Sequence, residues 1–420
     1  MSSSVAHGIQ RMTGRDPHES NRAATPLELL FDLTFVVAFG AAGTLLAHAL
    51  AEGHVGRGLL AFGLSVFAVC WAWINFTWFA SAYDTDDWVF RLLTMVQMGG
   101  VIILALGLPP AFESITAGRA VDATVMVMGY VVMRVPMVVL WLRAARHDPA
   151  HGAACLTYVV TIFVAQVFWC LRLAYDSTVG AWLLSAVVLI VVELAGPVVA
   201  EFRFGGTPWH PHHVAERYGL LVIITLGEVL IGTVAAISPF VNDPEQGWTT
   251  DAIALLVAGV VLIFGMWWLY FAKPWAEILH HHRERAFFWG YGHMLVFGAI
   301  VATGSGLHAV QYFIQHHSHL GQTATLVCVV VPVAVFIGMT YLMYGVAIRS
   351  FDRLHLLLAS VTAVVLVGAV ALSTAGLPLP LCLVPVGLAP AVTVIGHETV
   401  GHRHGRDHLE RLRATSRAES

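Results

Sequence analysis

A chain of 420 residues that is 58% hydrophobic and 11% charged, with a mean hydropathy of +0.75, is not a soluble domain, where about 25% of residues carry charge. The net charge of -4 sets aside a nucleic-acid binder, which needs a basic surface. Lipid is the solvent that remains for most of the chain, leaving little room for a soluble catalytic domain.

The first 25 residues are polar, carry Arg11, Arg15 and Arg22, and have no apolar core ahead of a small-residue cleavage site. A retained first helix is expected, without a cleaved signal peptide. Spanning a bilayer takes about 20 apolar residues. Runs of that length lie at 27–50, 58–82, 88–108, 120–143, 152–174, 180–200, 216–238, 250–272, 287–313, 323–348, 354–374 and 379–397, so twelve spans are predicted. Breaks fall at Pro109-Pro110, Asp148-Pro149, Gly205-Gly206 before Pro208 and Pro211, Asp243-Pro244, and Gly376 before Pro378; such pairs mark turns.

Short cytoplasmic loops are enriched in Lys and Arg. With both termini on one side, 18 of the 22 basic residues fall on that side, and only Arg57, Arg119 and Arg172 fall opposite. An even span number with both termini cytoplasmic follows. One miscounted span would invert every later loop and destroy the asymmetry.

The chain also reads as two halves. Glu28 opens span 1 as Glu216 opens span 7, Thr77-Trp78-Phe79-Ala80 ends span 2 as Leu269-Tyr270-Phe271-Ala272 ends span 8, and Gln97 matches His293 in depth. The expected organisation is an all-α integral membrane protein with a polar N-tail (1–25), two six-helix repeats of like topology (26–208 and 209–400) and a basic C-tail (401–420).

Three stretches carry a family resemblance: Glu28-Leu-Leu-Phe31-Asp32-Leu-Thr-Phe-Val; Trp71-Ala-Trp73-Ile-Asn75-Phe-Thr-Trp78-Phe79 leading to Asp84-Thr-Asp86-Asp87 and Arg91; and Glu216-Arg217 followed by Gly227-Glu228. Together they resemble the bacterial low-temperature-requirement A family over residues 25 to 400. Thr34 and Val229 depart from the family pattern without removing a charge. The resemblance implies a multi-pass membrane protein tied by name to growth in the cold, with no established biochemical activity.

Ionisable groups at bilayer depth cost about 2.5–3.5 kcal/mol each on insertion scales, so they face the bundle interior. Glu28, Asp32, Gln97, Arg134, Glu193, Glu216, Glu228 and His293 are the candidate ion or proton site. Asp32, Gln97, Arg134, Glu193 and His293 fall roughly 8–15 Å in from one face at ~1.5 Å per residue, where they are able to meet. Arg134 is expected to pair with Asp32 or Glu193. Glu28 and Asp32, four apart, share a helix face, as do Arg217 and Glu228, eleven apart. Pro136 and Pro197 free the carbonyls of Val132 and Glu193, and broken helices at mid-membrane are where transporters hold substrates and ions.

Other signals read more plainly. Asp84, Asp86 and Asp87 precede span 3 and suit an N-cap better than a metal site. The histidines of 210–213, 280–282, 316–319 and 402–408 read as loop and tail polarity. The aromatics Trp71 and Trp73 are deep enough to pack the core or line a pocket. Cys70, Cys155, Cys170, Cys328 and Cys382 stand singly in apolar runs and read as small core residues. No metal site or cofactor is expected, and no catalytic motif is present. The leading reading is a secondary transporter or ion-permeation protein for an unknown small ion or solute, contacting the bilayer. The alternative is a scaffold or cold-adaptation protein whose buried charges only fix helix packing; intramembrane catalysis is the weakest.

Overall fold

The computed structural model describes residues 8–16, 19, 23–175, 178–242, 247–349, 353–396 and 398–399. Arg22, Asp243-Pro244 and the C-tail with His402, His404 and His408 lie outside them. Helices are the only regular elements among the described residues, and twelve of them are long and apolar enough to cross a membrane.

The described residues up to 46 and from 54 to 218 form one compact unit, and those from 47 to 53 and from 219 onward another. The first unit holds α1 (Pro26–Ala51) up to residue 46, α2 (Val55–Tyr83), α3 (Trp88–Thr116), α4 (Thr124–His147), α5 (Gly152–Leu173), α6 (Val179–Arg203) and the opening turns of α7 (Pro211–Val241). The second holds the rest of α7, α8 (Thr250–Phe271), the short α9 (Trp275–His281), α10 (Ala286–Ile314), α11 (Gln322–Ile348), α12 (Arg353–Thr374) and α13 (Leu379–Gly396).

Three boundaries differ from the sequence reading. Pro109 and Pro110 lie inside α3, which continues to Thr116; membrane helices tolerate proline where neighbouring helices re-satisfy the freed carbonyls. α7 starts at Pro211, five residues before the expected 216, because proline suits the first helical position, where its missing N–H has no intrahelical role. His280 and His281 close α9 instead of lying in a loop.

The surface fits a lipid solvent. On α6, Leu184, Val187, Val188 and Val191 form an exposed stripe, Leu184 at 70%, which is stable facing acyl chains and a liability in water. Cys170 is exposed and Cys328 half-buried, so only Cys70, Cys155 and Cys382 are core cysteines as expected. Small residues bring helices together within each unit. A Cβ on Gly129 of α4 would stand 2.3 Å from the backbone nitrogen of Leu104 on α3, and one on Gly304 of α10 would stand 2.4 Å from the carbonyl oxygen of Glu228 on α7. Neither position admits a side chain without moving backbone.

Candidate functional site

The site begins with how two helices start. Thr25, Pro26 and Glu28 form a capping box: Glu28 N–H donates to the Thr25 hydroxyl (3.2 Å) and Thr25 N–H to the Glu28 carboxylate (2.8 Å). α7 opens the same way, with His210 before Pro211 and its Nδ1 accepting from His213 N–H at 3.3 Å. Four residues past Glu28 and His213 come Asp32 and Arg217, which share a face with them.

These faces meet. His213 Nε2 is 3.2 Å from the Glu28 carboxylate, and Arg217 Nη1 is 2.9 Å from Glu28 Oε1. Arg217 Nε donates to Asp32 Oδ2 at 3.2 Å and its Nη2 to Oδ1. Trp73 Nε1 also donates to Asp32 Oδ1, at 2.7 Å. The guanidinium lies 5.7 Å and 5.8 Å from the rings of Trp73 and Phe76, and Phe31 packs its ring on Phe76 at 3.9 Å. Glu28, Asp32, His213 and Arg217 are all 0% exposed.

A second group is built from the other side of α2. Trp71 lies two residues from Trp73, about 200° around the helix, and its indole N–H donates to Glu193 of α6. The same carboxylate accepts from Trp169 (2.8 Å), Tyr130 (2.9 Å) and Arg134 (3.1 Å). Arg134 also donates to the Tyr130 hydroxyl at 2.5 Å. Four donors converge on one buried acid, and a cavity of about 40 Å³ lined by Phe67, Tyr130, Trp169 and Trp182 adjoins them.

Arg134 therefore pairs with Glu193 and not with Asp32, whose cation is Arg217. Gln97 is buried on α3, and its Nε2 makes no hydrogen bond among the described residues. In the second unit, His293 on α10 is wholly buried. Its Nδ1 lies 2.7 Å from the Trp289 carbonyl and must donate there, so its Nε2, 2.9 Å from the Tyr270 hydroxyl, accepts. Glu228 is 8% exposed at the closest approach of α7 to α10 and makes no hydrogen bond or ion pair among the described residues.

Glu216 corrects the sequence reading: it is exposed, because it stands about 100° around α7 from Arg217. The paired helix starts match Glu28 with His213, not with Glu216. His210 and His213, read as loop polarity, are buried; the signal lay in His210-Pro211 echoing Thr25-Pro26, each followed by ionisable residues at one i, i+4 spacing. Trp71, Tyr130 and Trp169 carried no such signal, since an aromatic in an apolar run looks alike whether or not its polar atom has a partner.

At the helix ends of this unit, Asp87 caps α3 by accepting from Phe90 N–H at 2.9 Å. Asp86 instead takes a bidentate pair with Arg91, and Asp84 accepts from Asp86 N–H. Asp87 also accepts from Gln10 N–H and from Arg143. Burial acts to raise its pKa, but the Arg143 hydrogen bonds and the two backbone N–H groups outweigh it and hold the carboxyl at about 2. Met12 N–H donates to His147 Nδ1 and Arg15 N–H to the Ala82 carbonyl, so residues 10–15 lie across the ends of α2, α3 and α4. No group of three or more His, Cys, Asp or Glu among the described residues is arranged to hold a metal ion.

Among the described residues, twelve helices long and apolar enough to cross a membrane point to a polytopic membrane protein. The chain belongs to the bacterial low temperature requirement A protein family, whose pattern it matches over residues 23–390. An uncharacterized protein of Rhizobium meliloti (strain 1021) is 29% identical over 320 residues, which is 72% of this chain and 73% of that one. No solved structure matches.

Proposed function

We propose that the protein is a secondary transporter in which Glu28, Asp32, His213 and Arg217 bind and release a coupling proton. One observation carries this reading: two carboxylates and one guanidinium, with an imidazole beside them, are fully buried in a single group. With neutral histidine the charges sum to -1, and one added proton balances them. An unbalanced charge is costly in a medium that cannot solvate it, so the group favours holding one exchangeable proton, shared between Glu28 and His213. Asp32 already has its cation and the Trp73 indole.

The rest of the reading is a carrier rather than an enzyme, in a bacterial cytoplasmic membrane, with both termini cytoplasmic. Its halves, 26–208 and 209–400, are repeats of like topology. The matched starts of α1 and α7 support this, since Glu28–His213 and Asp32–Arg217 share one offset of 185 residues, as two parallel helices in register require.

The second reading, a scaffold fixed by its charges, draws on Glu193 and Arg134, which pair with each other beside Tyr130, Trp71 and Trp169 and have no unbalanced charge. The two readings part in proteoliposomes carrying an internal pH dye and offered a panel of ions and small solutes. The transporter reading expects solute-dependent proton movement that Glu28→Gln and His213→Gln abolish in folded protein. Movement unchanged in both variants removes the role of this group, and no movement with any solute removes the class.

A further inference from the structure

We infer that the second unit holds an anionic phospholipid, its acyl chain in a groove between α11 and α12 and its phosphate on Lys273. Lys273 follows α8 and is 4% exposed, yet its ammonium makes no hydrogen bond among the described residues. It lies 4.6 Å from the Tyr344 ring and 5.8 Å from the Tyr341 ring. Glu398 acts on it across space, but that carboxylate is exposed and accepts from the Trp268 indole. A buried ammonium has three donors and no acceptor of its own. Cation–π contact offsets part of its lost hydration, and the three N–H groups still call for oxygen.

The same two tyrosines line a groove of about 280 Å³. Its other walls are aliphatic, including Ile337, Leu356, Ala363 and Leu366, with His355 at the Lys273 end against both tyrosine rings. Leu342 and Leu356 are 40% and 55% exposed along it, so the groove opens on the face that the bilayer covers. Charge at this end is complementary to a phosphate. Arg285 donates to the Ala347 carbonyl, and Arg349 caps α11 close enough to act on Arg285 electrostatically. The nearby acids, Glu284 and Glu398, are both exposed. An apolar slot facing lipid, two of whose tyrosines carry a buried ammonium on their rings, has the chemistry of one anionic lipid bound at a membrane boundary.

Native mass spectrometry on the delipidated full-length protein tests this, titrating phosphatidylglycerol, phosphatidylcholine with the same acyl chains, and inorganic phosphate. The expected result is one phosphatidylglycerol bound about tenfold more tightly than phosphatidylcholine, the difference a charge-assisted hydrogen bond provides. Lys273→Gln is expected to erase that preference, and Ala363→Phe, which fills the groove from its exposed side, to weaken both lipids. Equal binding of the two lipids, or an unchanged preference in Lys273→Gln, overturns the inference. Binding of inorganic phosphate alone with the same dependence on Lys273 overturns it too, since the site then takes a free anion. Should Lys273→Gln not yield folded protein, Ala363→Phe decides alone: unchanged phosphatidylglycerol binding refutes the site.

Discussion

Asp32 and Arg217 are each the seventh residue of their helix, and their side chains meet with no exposed surface on either. Removing one partner leaves the other charged and buried, which costs about 3–5 kcal/mol. Arg217→Met and Asp32→Asn should therefore each lower the thermal midpoint of the detergent-solubilised protein sharply, and Arg217→Met the more, because it leaves both Glu28 and Asp32 without their cation. Size-exclusion after a heating series measures this; a midpoint within a degree of wild type in Arg217→Met would contradict it.

Glu193 accepts four donors, so its loss and the loss of any one donor should differ in size. Trp169→Phe removes one hydrogen bond and trims the indole to a phenyl ring, and about 1–2 kcal/mol is expected. Glu193→Leu strands Arg134 and should cost several times more, while the double change Glu193→Leu with Arg134→Leu should recover much of the loss, as apolar replacement of buried pairs often does. A double variant less stable than Glu193→Leu would mean that Arg134 has another partner.

Asp87 gives a pH-dependent contribution with a definite sign. Its folded pKa of about 2 lies below the unfolded value near 3.9. The stabilisation it supplies is thus complete above about pH 4 and is lost as the pH falls toward 2. Asp87→Asn should be less stable than wild type at neutral pH, and the gap should close across that acid window. A gap that holds constant down to pH 2 would show that the carboxyl is not depressed.

At the α7–α10 crossing, Gly304→Ala places a Cβ where the Glu228 carbonyl oxygen stands at 2.4 Å. About 1–3 kcal/mol of destabilisation is expected from forcing backbone apart, whereas Gly338→Ala, with open space around it, should be neutral. Equal midpoints for the two variants would remove the close approach.

The helices were legible because span length is a property of the bilayer, and apolar runs such as 180–200 and 323–348 report it directly. Their ends were less so. Pro110 reads as a break in any sequence, yet α3 runs through it to Thr116, as membrane helices are able to do. The acids of the site were equally plain, since Asp32 and Glu193 are conspicuous among apolar neighbours. Their partners were not: depth along a helix is a one-dimensional measure, and it put Arg134 level with both acids. The choice of Arg217 for Asp32 depends on which helices are neighbours, and no position along a single helix reports that.

The 185 residues separating Asp32 from Arg217 have a consequence in time. A ribosome working at about 5–20 residues per second takes roughly ten to forty seconds to cross that interval. During it α1 exists with two acids on one face and no base to meet them. The first helix of this chain therefore cannot settle in its final environment when it is made. It must wait, at the insertion machinery or near the water boundary, until the seventh helix arrives to admit it.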